Sequence, residues 1–331
     1  MHNQRIVLAR RPVGEPTPQD FRLETVETPA PARGEVLVRT QFLSLDPYMR
    51  GRMNTTKSYA PPVELGDIMV GGTVGEIVES NDGGFSPGDI VLANGGWQQY
   101  TVCNARELRK LDPRRFPPTY ALGVLGMPGQ TAYCALLDIG APKRGETLVV
   151  SAASGAVGSV AGQIGKIFGC RVIGIAGTDD KCTYVVQELG FDASINRRTQ
   201  DLDEALADTC PDGIDIYYDN TAGAILEAVL RRINLGARIP LVGLIEHYNA
   251  TQAPHGPFLA PLLTQRAKIE GFLVTDHAAH VARFLGDMHD WLAKGQVRYR
   301  EDIVDGLENA PRAFIGLLRG ENFGKLLVRV G

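Results

Sequence analysis

The sequence lacks the features that mark secreted, membrane and nucleic-acid-binding proteins. It has five cysteines in 331 residues and no CxxC pair, which argues against a disulfide framework or a zinc knot. No stretch approaches the ~18 apolar residues of a membrane span, and the apolar run at residues 6–9 is too short for a signal peptide. Charges of both signs are mixed, with a formal net charge of -4 and no basic stripe, so neither nucleic acid nor a membrane is an expected partner. We expect a cytoplasmic globular protein.

Two kinds of sequence pattern alternate along the chain. Residues 1–122 are rich in Pro and Gly, with short apolar runs such as 35–40, which is typical of strands separated by turns. The region 123–299 alternates strands with amphipathic helices, which predicts a doubly wound parallel sheet with right-handed crossovers, that is, a Rossmann domain. The tail, 300–331, has the same kind of pattern as residues 1–122. The fold class is therefore α/β, with residues 1–122 and 300–331 forming one discontinuous β domain.

Three segments of the α/β region carry specific expectations. The sequence predicts a helix over 224–235 that ends at Gly236, a strand over 237–243, and a long helix over 277–294. Pro240 lies inside the predicted strand. Because proline cannot donate to a strand ladder, we expect this strand to be bulged or short.

A glycine-containing turn lies between the strand at 147–151 and an amphipathic helix. In this context it predicts a dinucleotide site, because Gly155 lets the backbone approach a pyrophosphate, Gly158 lets the helix pack close to the strand, and the helix N-terminus favours phosphate. Ala153 takes the place of the first glycine. The predicted cofactor-binding residues of the turn are Ala153, Ser154, Gly155, Ala156, Val157 and Gly158.

The region after the second strand of this unit indicates which dinucleotide binds. The strand ends near Gly177 without the Asp or Glu that would hold the ribose 2′-OH of NAD. Three cations follow at Lys181, Arg197 and Arg198. The acids at 179–180 are interpreted as helix caps. We therefore predict NADPH as the cofactor, with Gly177, Lys181 and Arg197 near the adenosine phosphate.

Several motifs over nearly the full length fit one protein family. The most specific are DPYMR at 46–50 and GMPGQTAY at 126–133. With them the chain resembles the medium-chain dehydrogenase/reductase superfamily, in the branch of prostaglandin reductases and plant alkenal double-bond reductases. The remaining matching segments are 152–158, 218–220, 242–249 and 321–325.

The resemblance implies a fold, an assembly and further site residues. It implies a GroES-like β domain beside the Rossmann domain, and a homodimer. It also implies that Lys181 grips the 2′-phosphate. The residue in the position of Arg197 is usually a tyrosine in this family, so a stacking role is in doubt here. Further residues that the resemblance places along the cofactor are Asn220, Val242, Gly243, Tyr248, Phe272, Leu273, Val274 and Asn322.

The zinc ligands of the related alcohol dehydrogenases are missing. Their Gly-His-Glu segment corresponds to residues 68–72 here, which contain neither His nor Glu. We therefore predict no metal. Without a Lewis acid, conjugate reduction is favoured: hydride reaches the β-carbon of an α,β-unsaturated aldehyde or ketone, and hydroxyl donors stabilise the enolate oxygen. Tyr48, Tyr59 and Tyr248 are the candidate catalytic donors, while Tyr48 is equally well explained as a packing aromatic. The ribose 2′-OH of the cofactor is a further candidate donor, so no single tyrosine need be essential.

Two other functions remain open at this stage. One is a quinone reductase of the same superfamily, and the other is a non-catalytic NADPH-binding structural or sensor protein. His277 and His280 are three residues apart, but without a third ligand in view they are interpreted as surface histidines. Cys182 is interpreted as a structural thiol and not as a reactive one.

Overall fold

The structure is a computed structural model that describes residues 2–331. The chain divides into two compact units, one formed by the residues up to Gly123 together with Glu301–Gly331, the other by Val124–Arg300. Within the described range, no helix has both the length and the apolar character needed to cross a bilayer.

The first unit is built mainly of antiparallel strands. Its elements before the second unit are β1 (His2–Leu8), β2 (Phe21–Glu27), β3 (Glu35–Ser44), α1 (Tyr48–Arg52), β4 (Thr73–Ser80), β5 (Ile90–Ala93), β6 (Tyr100–Asn104) and β7 (Arg109–Lys110). Strand β1 pairs with β2, β3 pairs with both β4 and β6, and β5 pairs with β4 and β7. Gly75 of β4 has no room for a side chain where β4 pairs with β3, since a Cβ there would lie 2.4 Å from the carbonyl oxygen of Arg39.

The second unit is the predicted Rossmann arrangement. Its elements are α2 (Met127–Cys134), a π-helical segment (Ala135–Gly140), β8 (Thr147–Ser151), α3 (Gly158–Ile167), β9 (Arg171–Ala176), α4 (Asp179–Gln187), β10 (Ala193–Asn196), α5 (Leu202–Thr209), β11 (Ile214–Tyr218), α6 (Gly223–Leu230), β12 (Ile233–Leu241), α7 (Ala260–Thr264), β13 (Lys268–Gly271), a 3-10 segment (Val274–His280) and α8 (Val281–Ala293). Its six strands, counted within residues 2–331, are parallel and lie in the order β10-β9-β8-β11-β12-β13. The chain first forms β8, β9 and β10, which lie on one side of the sheet, and then β11, β12 and β13, which lie on the other side.

The tail rejoins the first unit through three elements, β14 (Glu301–Asp305), α9 (Ala310–Leu318) and β15 (Lys325–Arg329). β15 pairs with β14 and with β3. Phe314 of α9 packs edge-on against Trp97 at 5.7 Å between ring centroids, and Trp97 stacks on Phe21 at 5.5 Å. These three aromatic rings anchor the tail in the core of the first unit.

Three expectations from the sequence are wrong in detail. The helix expected over 224–235 ends at Leu230, and Gly236 is not its cap but lies within β12 with a φ of 75°. The register of β11 against β12 shifts between Ile233 and Arg238 of β12. The strand irregularity that was expected because of Pro240 is therefore present, but it lies before the proline. The long helix over 277–294 is interrupted, because His277 has non-helical backbone angles and α8 begins only at Val281.

Candidate functional site

The predicted cofactor residues of the second unit lie at one edge of its sheet. Because all six strands described there are parallel, their carboxyl ends share an edge, which is where ligands bind in open α/β sheets. The residues that directly follow the strands are the 152–158 turn after β8, Gly177 after β9, Arg197 after β10, Asn220 soon after β11, Val242 and Gly243 after β12, and Phe272 after β13. Residues far apart in sequence are therefore gathered along the path a dinucleotide would take.

The turn after β8 has the close packing that a phosphate cradle requires. Ala152 adopts a φ of 48°, and the Gly155 N–H donates to its carbonyl oxygen at 2.9 Å. A Cβ on Gly158 would lie only 2.4 Å from the Ala152 carbonyl oxygen, so no other residue fits without moving the helix. α3 begins at Gly158 and its first N–H groups point toward the turn. The turn therefore fits a pyrophosphate.

Cations surround the end of β9. Lys181 is only 9% exposed, so it is not an ordinary solvated lysine. Arg198 lies against Gly177, since a Cβ built on that glycine would be 3.6 Å from Arg198 Nε. Arg197 instead forms an ion pair with Glu246, with Nη1 and Oε1 2.7 Å apart. Arg198 therefore lies beside Gly177 at the end of β9, although the predicted set of cofactor-binding residues did not include it.

The helix cap after β9 differs from the interpretation of the sequence. Thr178 is the N-cap residue of α4, and its Oγ1 accepts from the Lys181 N–H at 3.4 Å. The two aspartates at 179–180 occupy the first turn instead, where their charge favours the helix dipole. Asp179 also accepts a hydrogen bond from the Asn196 amide at 2.7 Å. Asp179 thus has a structural partner in Asn196, and both aspartates occupy the first turn of α4.

The boundary between β8 and β11 is the point at which the strand order reverses. Asn220 bridges it, because its backbone N–H donates to Ser151 Oγ at 2.9 Å and its side-chain amide donates to the Ser151 carbonyl at 2.7 Å. The loop after β12 passes directly over this link. Val242 N–H donates to the Asp219 carbonyl at 2.8 Å, and a Cβ on Gly243 would lie 2.9 Å from the Asn220 carbonyl oxygen.

Asp219 is a buried polar centre that sequence reasoning did not single out. It is 0% exposed, and its Oδ1 accepts from the N–H groups of Thr221 and Ala222 at 2.9 and 2.8 Å and from the Tyr217 hydroxyl at 3.0 Å. Burial outweighs these bonds and raises the pKa of Asp219. Its role is to hold the end of β11 and thereby the position of Asn220.

The loop after β12 also carries Tyr248. Tyr248 is half-buried in a turn-rich segment that ends near Ala250. Within this loop Glu246 ties the chain to Arg197 and, through the Ala224 N–H at 3.3 Å, to the start of α6. The loop that presents Tyr248 is therefore held at several points.

Two of the candidate tyrosines belong to the first unit. Tyr48 begins α1 and packs against the core there, and burial is the main cause of a pKa well above the ordinary tyrosine value, with the charge of Asp46 and the neighbouring Tyr59 adding to it. Tyr59 is 59% exposed in the loop between α1 and β4. The ring of Tyr48 therefore packs against the core, and the raised pKa keeps its hydroxyl protonated.

The DPYMR segment is fixed by a buried lysine from the tail. Lys325 is 1% exposed, and its Nζ donates to Asp46 Oδ1 at 2.7 Å and to the Leu45 carbonyl at 2.8 Å. Asp46 also accepts from the Ser44 hydroxyl. Asn322, predicted to reach the cofactor, donates from its amide to the Gly324 carbonyl at 2.8 Å. The two motifs 46–50 and 321–325 thus meet in one unit.

The segment that would carry zinc ligands is apolar and tightly packed. Met69 is 0% exposed and belongs to the same core cluster as Leu43 and Met49. A Cβ on Gly71 would lie 2.8 Å from Leu43 Cδ1 and 3.3 Å from Met49 Cε. The side chains of this segment therefore offer no imidazole, carboxylate or thiolate to a zinc ion.

The thiol of Cys182 is not activated by its position near a helix start. Burial raises the pKa of Cys182, the opposite of what a reactive thiol needs. This agrees with a structural role.

Family comparisons agree with the geometry. Residues 4–111 match the family described as N-terminal domain of oxidoreductase, and residues 156–293 match the one described as zinc-binding dehydrogenase. The NADPH-dependent curcumin reductase of Escherichia coli is 51% identical, with 99% of this chain and 97% of that protein covered. The NADP(+)-dependent 2-alkenal reductase of Nicotiana tabacum is 39% identical, with 99% and 97% covered.

Among solved structures, the chain is similar to CurA from Vibrio vulnificus in complex with NADPH. The TM-score is 0.96 at 52% identity, covering 99% of each chain. These matches confirm the family resemblance and the fold expected from the sequence. The chain belongs to the medium-chain dehydrogenase/reductase superfamily, in the branch of NADP-dependent reductases that includes curcumin, prostaglandin and 2-alkenal reductases.

Proposed function

We propose that this enzyme uses NADPH to reduce the carbon–carbon double bond of α,β-unsaturated aldehydes and ketones without a catalytic metal. The observation that carries the proposal is the replacement of zinc-ligand positions by packed apolar residues, with Met69 at 0% exposure, in a chain whose candidate donors are tyrosine hydroxyls. Hydroxyl donors suit an enolate, whereas direct carbonyl reduction benefits from a Lewis acid.

The overall reaction adds one hydride and one proton across the double bond. When bound, NADPH would supply the hydride that forms the new C–H bond at the β-carbon, and it would leave as NADP+. The π electrons move toward the carbonyl oxygen, and a solvent-derived proton then adds to the α-carbon to give the saturated carbonyl compound. The protein must therefore hold the substrate oxygen where negative charge develops.

The residues along the sheet edge bind and orient the cofactor in this proposal. Gly155 and Gly158 accommodate the pyrophosphate, and Lys181 with Arg198 meets the 2′-phosphate. Arg197 acts less directly, because its ion pair with Glu246 holds the loop after β12. Further cofactor contacts are proposed for Ala153, Ser154, Ala156, Val157, Gly177, Asn220, Val242, Gly243, Phe272, Leu273, Val274 and Asn322.

Tyr248 is the principal donor to the substrate oxygen in this proposal. It follows the loop that passes over Asn220, so it is presented at the sheet edge where the cofactor binds. Tyr48 and Tyr59 supply further hydroxyl donors. Tyr48 is suited to donate at any working pH, because its pKa lies well above the ordinary value near 10.

The assembly is proposed to be a homodimer. Phe258, Leu259 and Leu263 are 79%, 56% and 80% exposed in the segment that precedes the edge strand β13. Exposed large apolar side chains beside a sheet edge are typical of a protein interface. Light scattering on the purified enzyme should give twice the 35.8 kDa mass of one chain. A cytoplasmic location stays a prediction.

Turnover with a substrate panel tests the function. Short alkenals, aryl enones and quinones are offered to the purified enzyme, and NADPH oxidation is followed by absorbance. The proposal expects kcat/KM for enals or enones to exceed that for quinones. A preference for quinones would favour the quinone reductase alternative, and the lack of any turnover would favour a binding protein.

A further inference from the structure

Four potential metal ligands of three chemical kinds meet in the second unit, away from the zinc-ligand positions of the superfamily. One ligand atom from each of Cys134, Asp138, His277 and His280 can be chosen so that all four lie within 4.8 Å of one another. The histidines were interpreted as surface residues because the sequence offered no third ligand. The fold supplies a third and a fourth from a segment about 140 residues earlier.

Local structure explains how the four side chains converge. Cys134 ends α2, and Asp138 lies one turn later in the π-helical segment Ala135–Gly140. π-helical turns often occur at functional sites, because they redirect side chains out of the regular helix. His277 and His280 face them from the 3-10 segment, and the Gln130 amide fixes this segment by donating to the His277 carbonyl at 3.1 Å.

The distances approach those of a tetrahedral site. Nδ1 of His277 lies 3.0 Å from Asp138 Oδ2, and Nδ1 of His280 lies 3.1 Å from the same oxygen. Zinc bonds of roughly 2.0 Å to nitrogen or oxygen and 2.3 Å to sulfur imply ligand–ligand separations of about 3.3–3.6 Å. The group therefore needs adjustments on the order of 1 Å to close around one ion.

Burial and charge also suit a divalent ion. Cys134 is 0% exposed, whereas the His280 side chain is 45% exposed and gives an ion access from solvent. A thiolate and a carboxylate would neutralise a charge of +2. Arg283 is the nearby cation, but its charge is shared with Asp287 at 3.9 Å and with the ring of Tyr133 at 5.9 Å.

We propose that Cys134, Asp138, His277 and His280 form a zinc site that pins the segment 274–280 to the end of α2. Zinc accepts sulfur, nitrogen and oxygen ligands and prefers four of them in a tetrahedral site. The His277 ring stacks on Phe272, with centroids 4.5 Å apart, so an ion at this position would also fix Phe272. The site is a stabilising clamp and contributes no group to the reaction proposed above.

Cobalt substitution tests the proposal directly. Untagged enzyme is freed of metal with a chelator and titrated with Co²⁺, and then with Zn²⁺ in competition. We expect one ion per chain, intense visible bands of tetrahedral cobalt, and a thiolate-to-cobalt charge-transfer band that zinc abolishes. Cys134→Ser should remove the charge-transfer band. His280→Ala changes an exposed residue and should weaken binding at least about 100-fold, since loss of an outer-shell partner alone costs 10- to 100-fold.

His255→Ala is the matched control, because His255 is an exposed histidine outside the cluster. It should bind cobalt as the wild type does. Zinc should also raise the melting temperature of the wild type and the control, and leave that of His280→Ala unchanged. Substoichiometric binding, an octahedral spectrum without the thiolate band, or equal binding by His280→Ala would overturn the proposal. None of these readouts depends on enone reduction.

Discussion

Lys325 and Asp46 form a buried ion pair across 279 positions of sequence, with 2.7 Å between Nζ and Oδ1. Asp46 lies two residues before the candidate donor Tyr48, and its carbonyl oxygen accepts from the Met49 N–H at 3.1 Å in the first turn of α1. The ion pair therefore anchors the residue from which α1 begins. The lysine also donates to the Leu45 carbonyl. The C-terminal tail thus positions a segment of the N-terminal region.

Lys325→Met should be strongly destabilising. It leaves the Asp46 carboxylate buried without its cation, and removing one partner of a buried pair costs ~3–5 kcal/mol. We expect a large drop in the melting temperature, measured by calorimetry. Adding Asp46→Asn to Lys325→Met should recover part of the loss. Lys294→Met, which breaks a pair with Asp290 in which both side chains are exposed, is the control and should change little. An equally small effect of Lys325→Met would show that the buried pair does not stabilise the fold.

Gly158→Ala should impair NADPH binding. Its Cβ would approach the Ala152 carbonyl oxygen to 2.4 Å, so the start of α3 must move away from the turn. A strain of ~1–3 kcal/mol is typical of such overpacking and predicts a loss of affinity of about 5- to 150-fold, measured by fluorescence titration. Gly286→Ala adds a methyl group in open space within α8 and should bind NADPH normally. Normal binding by Gly158→Ala would show that the turn does not cradle the cofactor.

Lys181→Ala should affect NADPH and spare NADH. A charge-assisted hydrogen bond to the 2′-phosphate contributes ~1.5–3 kcal/mol, or about ten- to a hundred-fold in KM. Arg198→Ala should act in the same direction, because the Arg198 guanidinium lies beside Gly177 at the end of β9. Steady-state kinetics with both cofactors measures this, with Lys294→Ala as a surface control. Equal use of NADPH and NADH by the wild type would refute the proposed phosphate contact.

Tyr48 should remain a hydrogen-bond donor well into the alkaline range. Its pKa is raised mainly by burial, so the neutral form dominates at and above pH 10, near the ordinary value. Spectrophotometric titration of wild type and Tyr48→Phe checks this. The ionisation that the substitution removes should lie well above pH 10, and the loss of a step at the ordinary tyrosine pKa would show that Tyr48 is solvated.

The sequence alone predicted the features that are local in the chain. The turn at 152–158 carries its own glycines between a strand and a helix, and the missing acid near Gly177 can be recognised without coordinates. Gly236 was misread because a positive φ suits a strand irregularity as well as a helix end. The Lys325–Asp46 pair and the cluster of Cys134 with His277 depend on long-range packing, which local patterns do not encode. The ion pair of Arg197 with Glu246, 49 residues later, is another long-range contact that the sequence did not reveal.

Tyr248→Phe should slow the reaction without abolishing it. Loss of one oxyanion donor costs up to ~2.7–4 kcal/mol, and we expect a smaller effect because Tyr48 and Tyr59 share the role and such contributions are not additive. The ratio of kcat/KM values between mutant and wild type measures it. Tyr184→Phe, which changes a tyrosine of α4 instead, serves as control. An unchanged kcat/KM would remove Tyr248 from the mechanism.

Isotope labelling identifies the carbon atom that receives the hydride. The enzyme is given NADPH that carries deuterium at both hydrogens of the transferring carbon, together with an alkenone, and the product is analysed by NMR. We expect a saturated ketone with deuterium at the β-carbon and a solvent-derived hydrogen at the α-carbon. An allylic alcohol with deuterium on the carbonyl carbon would rule out reduction of the double bond and identify a carbonyl reductase.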